Sequence, residues 1–239
     1  MAIGCNNNKK NEHSSEEMQT NQQMKDSTES DWTVLFDGQN LDHWKAYNQD
    51  SISDQWQIKD SALVFTPSEG EREHSENLIT KNEYTDFVLS LEWKISHAGN
   101  SGIMWAVQED TAYHEPYLTG PEIQVLDNKN HPDAKVGERR QAGALYDMVP
   151  PKEDVTMPVG EWNKVEITID HEKNQGTVTM NGTEIEQFPL QGEEWDKMVE
   201  NSKFKGWEGF AENKTGHIAL QDHGNQVSFR NIRIKELNK

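Results

Sequence analysis

From residue 32 onward, apolar side chains recur with a period of two. Trp32, Val34 and Phe36 alternate, Phe87, Leu89, Leu91, Trp93 and Ile95 alternate with Ser90, Glu92 and Lys94 between them, and Val165, Ile167 and Ile169 repeat the pattern. Successive side chains of a strand point to opposite faces, so this spacing predicts strands with one buried face. Asp37-Gly38, Lys59-Asp60-Ser61, His97-Ala98-Gly99-Asn100 and Asn181-Gly182 punctuate the runs as turns. Asn181-Gly182 joins Thr177-Val178-Thr179-Met180 to Thr183-Glu184-Ile185 and predicts a two-residue hairpin. About ten such strand candidates favour an all-β, two-sheet sandwich over a helical bundle.

Two segments depart from that period. Trp195, Met198 and Val199 stand at i, i+3 and i+4 behind Glu193 and Glu194, which predicts one short helix with acids at its N-terminus. Val227 and Phe229 share one parity while Ile232 and Ile234 share the other. One extra residue near Arg230-Asn231 would return both pairs to the core, so a β-bulge is expected there.

The 239 residues carry 23 Lys and Arg against 42 Asp and Glu, a net charge of -19. Such a chain repels phosphate polyanions, so no nucleic-acid partner is expected. No apolar run approaches the ~18 residues of a membrane-spanning helix. Cys5 is the single cysteine, which rules out an intrachain disulfide. Ile3-Gly4-Cys5 resembles the end of a bacterial lipoprotein signal, although the charged and long apolar parts of such a signal do not precede it; a chance thiol is the other reading. Residues 6–30 hold no aromatic, Leu, Ile or Val, and burial cannot offset their ordering entropy. The expected organisation is therefore a lipobox remnant and disordered linker over residues 1–30, then one β-sandwich domain over 31–239. On this reading the protein is an extracytoplasmic lipoprotein, periplasmic or tethered to the outer membrane, whose only membrane contact is a lipid on Cys5.

Several strands set polar groups on one face. If Ile123 and Val125 point inward, Glu122 and Gln124 share the opposite face and Asp127 follows at the strand end. If Ile218 and Leu220 point inward, Ala219, Gln221 and His223 face the other way. Asn100-Ser101-Gly102 opens a further strand. If the sheet curves, that face forms a groove of amides, a carboxylate and an imidazole, with Trp105 as either a stacking platform or core. Such a surface suits a sugar, whose hydroxyls need polar partners and whose C–H faces stack on indole. Glu122 and His223 are the candidate proton carriers; a solvated surface acid and a turn cap are the plain alternatives. Lys81 reads on composition as an ordinary surface lysine. Asp127, His131 and Asp133 could ligate a hard cation, or simply build a turn.

A set of motifs then resembles one family. Phe36-Asp37-Gly38-Gln39-Asn40-Leu41-Asp42-His43-Trp44, Tyr84-Thr85-Asp86-Phe87, Gly99-Asn100-Ser101-Gly102-Ile103, Gly120-Pro121-Glu122-Ile123-Gln124-Val125-Leu126-Asp127, Ala142-Gly143-Ala144-Leu145-Tyr146-Asp147, Pro158-Val159-Gly160-Glu161-Trp162-Asn163, Leu220-Gln221-Asp222-His223-Gly224 and Phe229-Arg230-Asn231-Ile232 follow in order from residue 32 to about 237. Together they resemble the 3-keto-disaccharide hydrolase family, of a type found in Bacteroidetes. The resemblance implies a concanavalin A-like β-sandwich similar to laminarinases and legume lectins, an oxidised 3-keto sugar as substrate, and a sugar oxidoreductase acting upstream. Ala106 stands where many members carry Arg, which bears on substrate detail rather than fold.

Laminarinase-like relatives use Glu-x-Asp-x-Glu, whereas this register reads Glu122-x-Gln124-x-Leu126, so a paired-carboxylate mechanism is not supported. The 3-keto chemistry that the family implies needs less. A C3 ketone acidifies the C2 proton, and its removal lets C1 expel the aglycone, with or without later water addition. On that chemistry His223 and Glu122 act as base and proton donor in either order, Lys81 stabilises the C3 oxyanion, and Gln124, Gln221, Asp222, Asn100, Trp105 and Asp127 bind or orient the sugar. A divalent cation could take the place of Lys81. A lectin-like module without catalysis and a surface scaffold are the rival readings.

Overall fold

The structure, a computed structural model, describes Met1 and residues 31–70 and 74–237. Cys5 and the polar segment 6–30 lie outside the described residues. The backbone divides into the units Met1–Thr33 and Val34–Lys239, and the second holds the sandwich. The strands in chain order are β1 (Thr33–Phe36), β2 (Trp44–Ala46), β3 (Trp56–Lys59), β4 (Ala62–Phe65), β5 (Leu78–Thr80), β6 (Phe87–Ile95), β7 (Asn100–Val107), β8 (Glu122–Leu126), β9 (Asn163–Asp170), β10 (Gln175–Met180), β11 (Thr183–Phe188), β12 (His217–Leu220) and β13 (Val227–Glu236).

Two sheets form. The larger runs β11-β10-β9-β6-β13-β4-β3, with β1 also paired to β13; the smaller runs β2-β5-β12-β7-β8. The period-two residues meet between them. Leu89, Leu91, Trp93 and Ile95 of β6 and Val165, Ile167 and Ile169 of β9 belong to the same buried cluster as Ile103, Trp105, Ile123, Val125, Ile218 and Leu220 of the smaller sheet. Burying each large apolar side chain removes its surface from water, at roughly 25 cal/mol per Å².

Local chemistry sets the registers. Met180 pairs with Thr183, and Asn181 and Gly182 close the hairpin at φ 50° and 87°, both in the left-handed region that Asn and Gly tolerate. On β13, Arg230 pairs with Glu92 but the next pair is Arg233 with Ser90, so the strand carries one extra residue. Asn231 sits there at φ 52°, and both Arg230 Nε and Asn231 Nδ2 donate to the Glu92 carboxylate at 2.8 Å. Phe229 and Ile232 are consequently both fully buried. The single α-helix among the described residues, α1 (Glu193–Glu200), buries Trp195 and packs Met198 and Val199 against the core.

A second irregularity shapes the smaller sheet. Ala219 pairs with Met104 but His217 pairs with Val107, which leaves an extra residue on β7, and Ala106 takes φ 55°. Beyond β8 the sheet continues without a regular strand. Gly143 N–H donates to Gln124 O at 2.8 Å, Ala144 O accepts from Gln124 N–H at 3.1 Å, and Tyr146 N–H donates to Glu122 O at 2.9 Å. This edge is fastened to the larger sheet by Glu186 of β11, whose Oε1 accepts the Leu145 N–H at 3.0 Å. Glu186 is 1% exposed and its Oε2 has no partner. Burial raises its carboxyl well above the ordinary range, only partly opposed by the Leu145 N–H.

Candidate functional site

The outer face of the smaller sheet has two halves. In the first, Tyr47, Ile79, Met104, Val107 and Ala219 form a second apolar cluster with Tyr117 packed against it. Tyr47 Oη donates to the carbonyls of Gln108 and Tyr113 at 3.1 and 2.9 Å, which holds the segment after β7 over this half. The expected open groove is therefore filled here.

The second half is polar. Gly102 pairs with Gln124, and the Gln221 N–H donates to Gly102 O at 2.9 Å, so Gln221, Gly102 and Gln124 stand side by side across three strands. Asn100 and Glu122 belong to the same face by the alternation of β7 and β8. Gln124 Oε1, Gln221 Oε1 and Asn100 Oδ1 are all buried without a hydrogen-bond partner. Buried acceptors usually have one, so three orphans on a single patch mark a place built for donors such as sugar hydroxyls or water.

Glu122 occupies the middle of this patch, folded over Gly102. A Cβ added to Gly102 would lie 1.8 Å from Glu122 Oε1. Only a residue without a side chain leaves room for the carboxylate. Glu122 is 6% exposed and accepts no hydrogen bond on its carboxylate from the described residues. Burial pushes its pKa up to about 7, with Lys203 acting in the opposite direction and Asp133 adding to the rise.

Three loops bring the remaining groups. Tyr146, on the edge segment beside β8, donates its hydroxyl to Asp133 Oδ2 at 2.7 Å. Arg140 bridges Asp133 Oδ1 and Asp147 Oδ1, each at 2.9 Å, and Asp147 Oδ2 accepts the Lys203 N–H at 2.7 Å. Burial opposes ionisation of Asp133, but Tyr146 and Arg140 outweigh it and hold its pKa below the usual value. Lys203 follows α1. Its Nζ lies 4.2 Å from the ring centre of Tyr146, 5.1 Å from Phe204, 5.8 Å from Tyr117 and 5.9 Å from Trp207. Much of the lysine is open to solvent, yet the rings desolvate its ammonium and lower its pKa, against the pull of Glu122.

The structure thus brings Glu122, Gln124, Gln221 and Asn100 together. His223 is exposed, with its ring centre 6.4 Å from that of His131; His131 Nδ1 in turn accepts the Asp133 N–H at 3.1 Å. His223 thus follows Gln221 by two residues and faces the loop that carries Asp133. Other expected residues are engaged elsewhere. Lys81 sits in an exposed turn after β5 and makes no contact with Glu122; Lys203 is the cation that acts on it. Trp105 is 4% exposed and stacked on Phe188 at 6.0 Å between the sheets, so it is core and not a platform. Asp127 spends its carboxylate on the Ala98, Lys129 and Asn130 N–H groups and the Asn130 amide, closing a turn. Asp222 accepts from the Glu76 and Gly224 N–H groups and ties the end of β12 to the approach to β5. Among the described residues no group of three or more His, Cys, Asp or Glu could hold a metal ion. Asp133, a candidate cation ligand in the sequence, instead binds Arg140 and Tyr146, while roles for Lys203, Tyr146 and Arg140 were not legible there; the aromatic run Phe204, Trp207 and Phe210 around a lysine is the signal that could have drawn attention to the first.

A polar patch with an unpaired acid on one face of a concanavalin A-like sandwich defines the class: a carbohydrate-active β-sandwich protein. Residues 31–235 match the 3-keto-alpha-glucoside-1,2-lyase-like domain family, and the chain belongs to that family. It is 38% identical over 231 residues to the 3-keto-disaccharide hydrolase of Bacteroides thetaiotaomicron, covering 86% of this chain and 78% of that protein. A crystal structure of a Parabacteroides distasonis protein, provisionally named a glycosyl hydrolase, superposes with a TM-score of 0.82 at 28% identity, over 90% of this chain and 97% of that one. A β-agarase B bound to agaro-octaose shares the fold alone, with a TM-score of 0.55 at 11% identity over 87% and 96% of the two chains.

Proposed function

We propose that this protein cleaves the glycosidic bond of 3-keto-glycosides by proton abstraction at C2 and elimination across C1–C2. The observation that carries this reading is Glu122, a nearly buried carboxyl without hydrogen-bond partners among the described residues, seated on Gly102 among unpartnered amide oxygens. A general base works best with a pKa near the operating pH, and burial brings this one to about 7. Elimination also needs charge withdrawn from C3 as the C2 proton leaves. Lys203 supplies the positive group in that position, replacing Lys81 in this role. Tyr146 has its proton committed to Asp133, and His223, two residues beyond Gln221, is assigned to protonate the departing oxygen. Gln124, Gln221 and Asn100 receive the sugar hydroxyls. The names of the relatives support the same substrate class.

Incubation with a 3-keto-glucoside and with the corresponding ordinary glucoside tests this directly. Release of aglycone from the keto sugar alone is expected, and mass spectrometry should find the dehydrated enone, its hydrated form, or both. Equal turnover of the ordinary glucoside would count against the reading, and so would binding of the keto sugar without turnover.

A further inference from the structure

Lys203 differs from the other lysines near acids. Lys152 meets Glu184 at 2.8 Å, Lys173 meets Asp170 at 2.6 Å and Lys197 meets Glu193 at 2.8 Å. Lys203 interacts with the charges of Glu122, Asp133 and Asp147, but its ammonium pairs directly with none of them among the described residues. Its close neighbours are instead the rings of Tyr146, Phe204, Tyr117 and Trp207. These rings are fixed. Phe204 stacks on Phe210 at 3.8 Å and 7°, and meets Trp207 edge-on at 5.2 Å. A solvent-reachable amine flanked by aromatic rings, without a direct ion pair among the described residues and within the field of a carboxyl that can take a proton, has the surroundings of a carbonyl-trapping lysine.

We propose that Lys203 condenses through Nζ with the C3 ketone of the substrate and that elimination runs through the iminium so formed. This rests on the functional reading above. The neutral amine adds to C3, the carbinolamine loses water, and a protonated C3=N bond remains. Glu122 takes the C2 proton, and the C–H electron pair becomes the C2=C3 bond of an enamine. The nitrogen lone pair then re-forms C3=N while the C2=C3 electrons move to C1=C2, the C1–O bond breaks with its pair on oxygen, and that oxygen takes a proton. Water hydrolyses the conjugated iminium, which returns the lysine amine and releases the enone. The iminium nitrogen carries its positive charge where the ammonium stood, so the same π faces stabilise it. The base and the electron sink must act on adjacent carbons, and the charges of Glu122 and Lys203 act on each other across the patch.

Sodium cyanoborohydride reduces iminium ions and tests the step in the intact protein. With a 3-keto-glucoside present, a sugar-derived mass is expected on the peptide containing Lys203, and activity should fall at least ~10-fold faster than without sugar. The ordinary glucoside should leave no mass. Lys203→Arg keeps a cation but cannot condense, so its turnover should fall ~10²-fold or more. If that variant fails to fold, trapping in the unaltered protein decides. Continued turnover with Lys203 unmodified, or Lys203→Arg within ~3-fold of the parent, would remove the iminium but leave an elimination with Lys203 as a simple cation. Failure to turn over any 3-keto-glucoside would overturn both this step and the functional reading.

Discussion

Glu122→Gln is expected to lower turnover of a 3-keto-glucoside by ~10²-fold or more and, at the same time, to make the protein harder to melt above pH 7. Both effects have the same origin. The amide keeps the shape but cannot accept the C2 proton. It also removes an acid that the fold holds at a disadvantage. The ordinary carboxyl value is 4.5 and the folded value about 7, so the folded chain binds this proton more tightly than the unfolded chain. The resulting stabilisation is complete below about 4.5 and is lost as pH rises through about 7, a loss of up to about 3 kcal/mol. In the parent protein kcat/KM should rise with pH through about 7 as the base becomes ionised. Thermal melts and pH-rate profiles of the two proteins check this. A flat profile across that range, or an active Gln variant, would remove Glu122 from the chemistry.

Gly102→Ala should cost ~10²-fold in kcat/KM even though it leaves every reacting group in the chain. The added methyl would fall 1.8 Å from Glu122 Oε1 and 2.6 Å from Cδ, so the carboxyl must swing off its bed. The backbone of Gly102 lies outside the left-handed region, so Ala meets no conformational barrier of its own. The double variant with Glu122→Gln distinguishes displacement from general damage. If the methyl acts only by moving the carboxyl, the double variant is no slower than Glu122→Gln alone. Additive losses, or a Gly102→Ala protein within ~3-fold of the parent, would contradict that account.

Regular alternation made the fold readable, because a strand's side chains repeat every two residues whatever lies around it. The parity change between Phe229 and Ile232 located the bulge at Asn231, and Asn181-Gly182 located a hairpin, since both depend on local backbone preference. Ile123, Val125, Ile218 and Leu220 fixed which way Glu122, Gln124 and Gln221 point, although not that loops would cover them. The remainder of the site sits on those loops. Asp133, Arg140, Tyr146 and Lys203 meet through contacts between distant segments, and no short-range period encodes such meetings. Trp105 shows the limit from the other side: composition allows an indole on either face, and only its β7 register sends it into the core against Phe188. For Asp127 the acid-rich sequence suggested a ligand, while the nearby N–H groups of its own turn use the carboxylate.

The link between Glu186 and Leu145 sets an upper limit on the pH at which the active edge stays in place. That acid is shut away from water with one oxygen unpaired, so it stays protonated over a wide range. A carboxyl whose folded pKa is raised contributes stability at low pH and loses it as pH rises through the folded value. Alkali should therefore loosen the segment that carries Tyr146 and Asp147, and Glu186→Gln should keep its melting temperature further into the alkaline range than the parent. In this molecule weakness to base is built in by acids hidden from water, Glu186 at the edge and Glu122 in the patch.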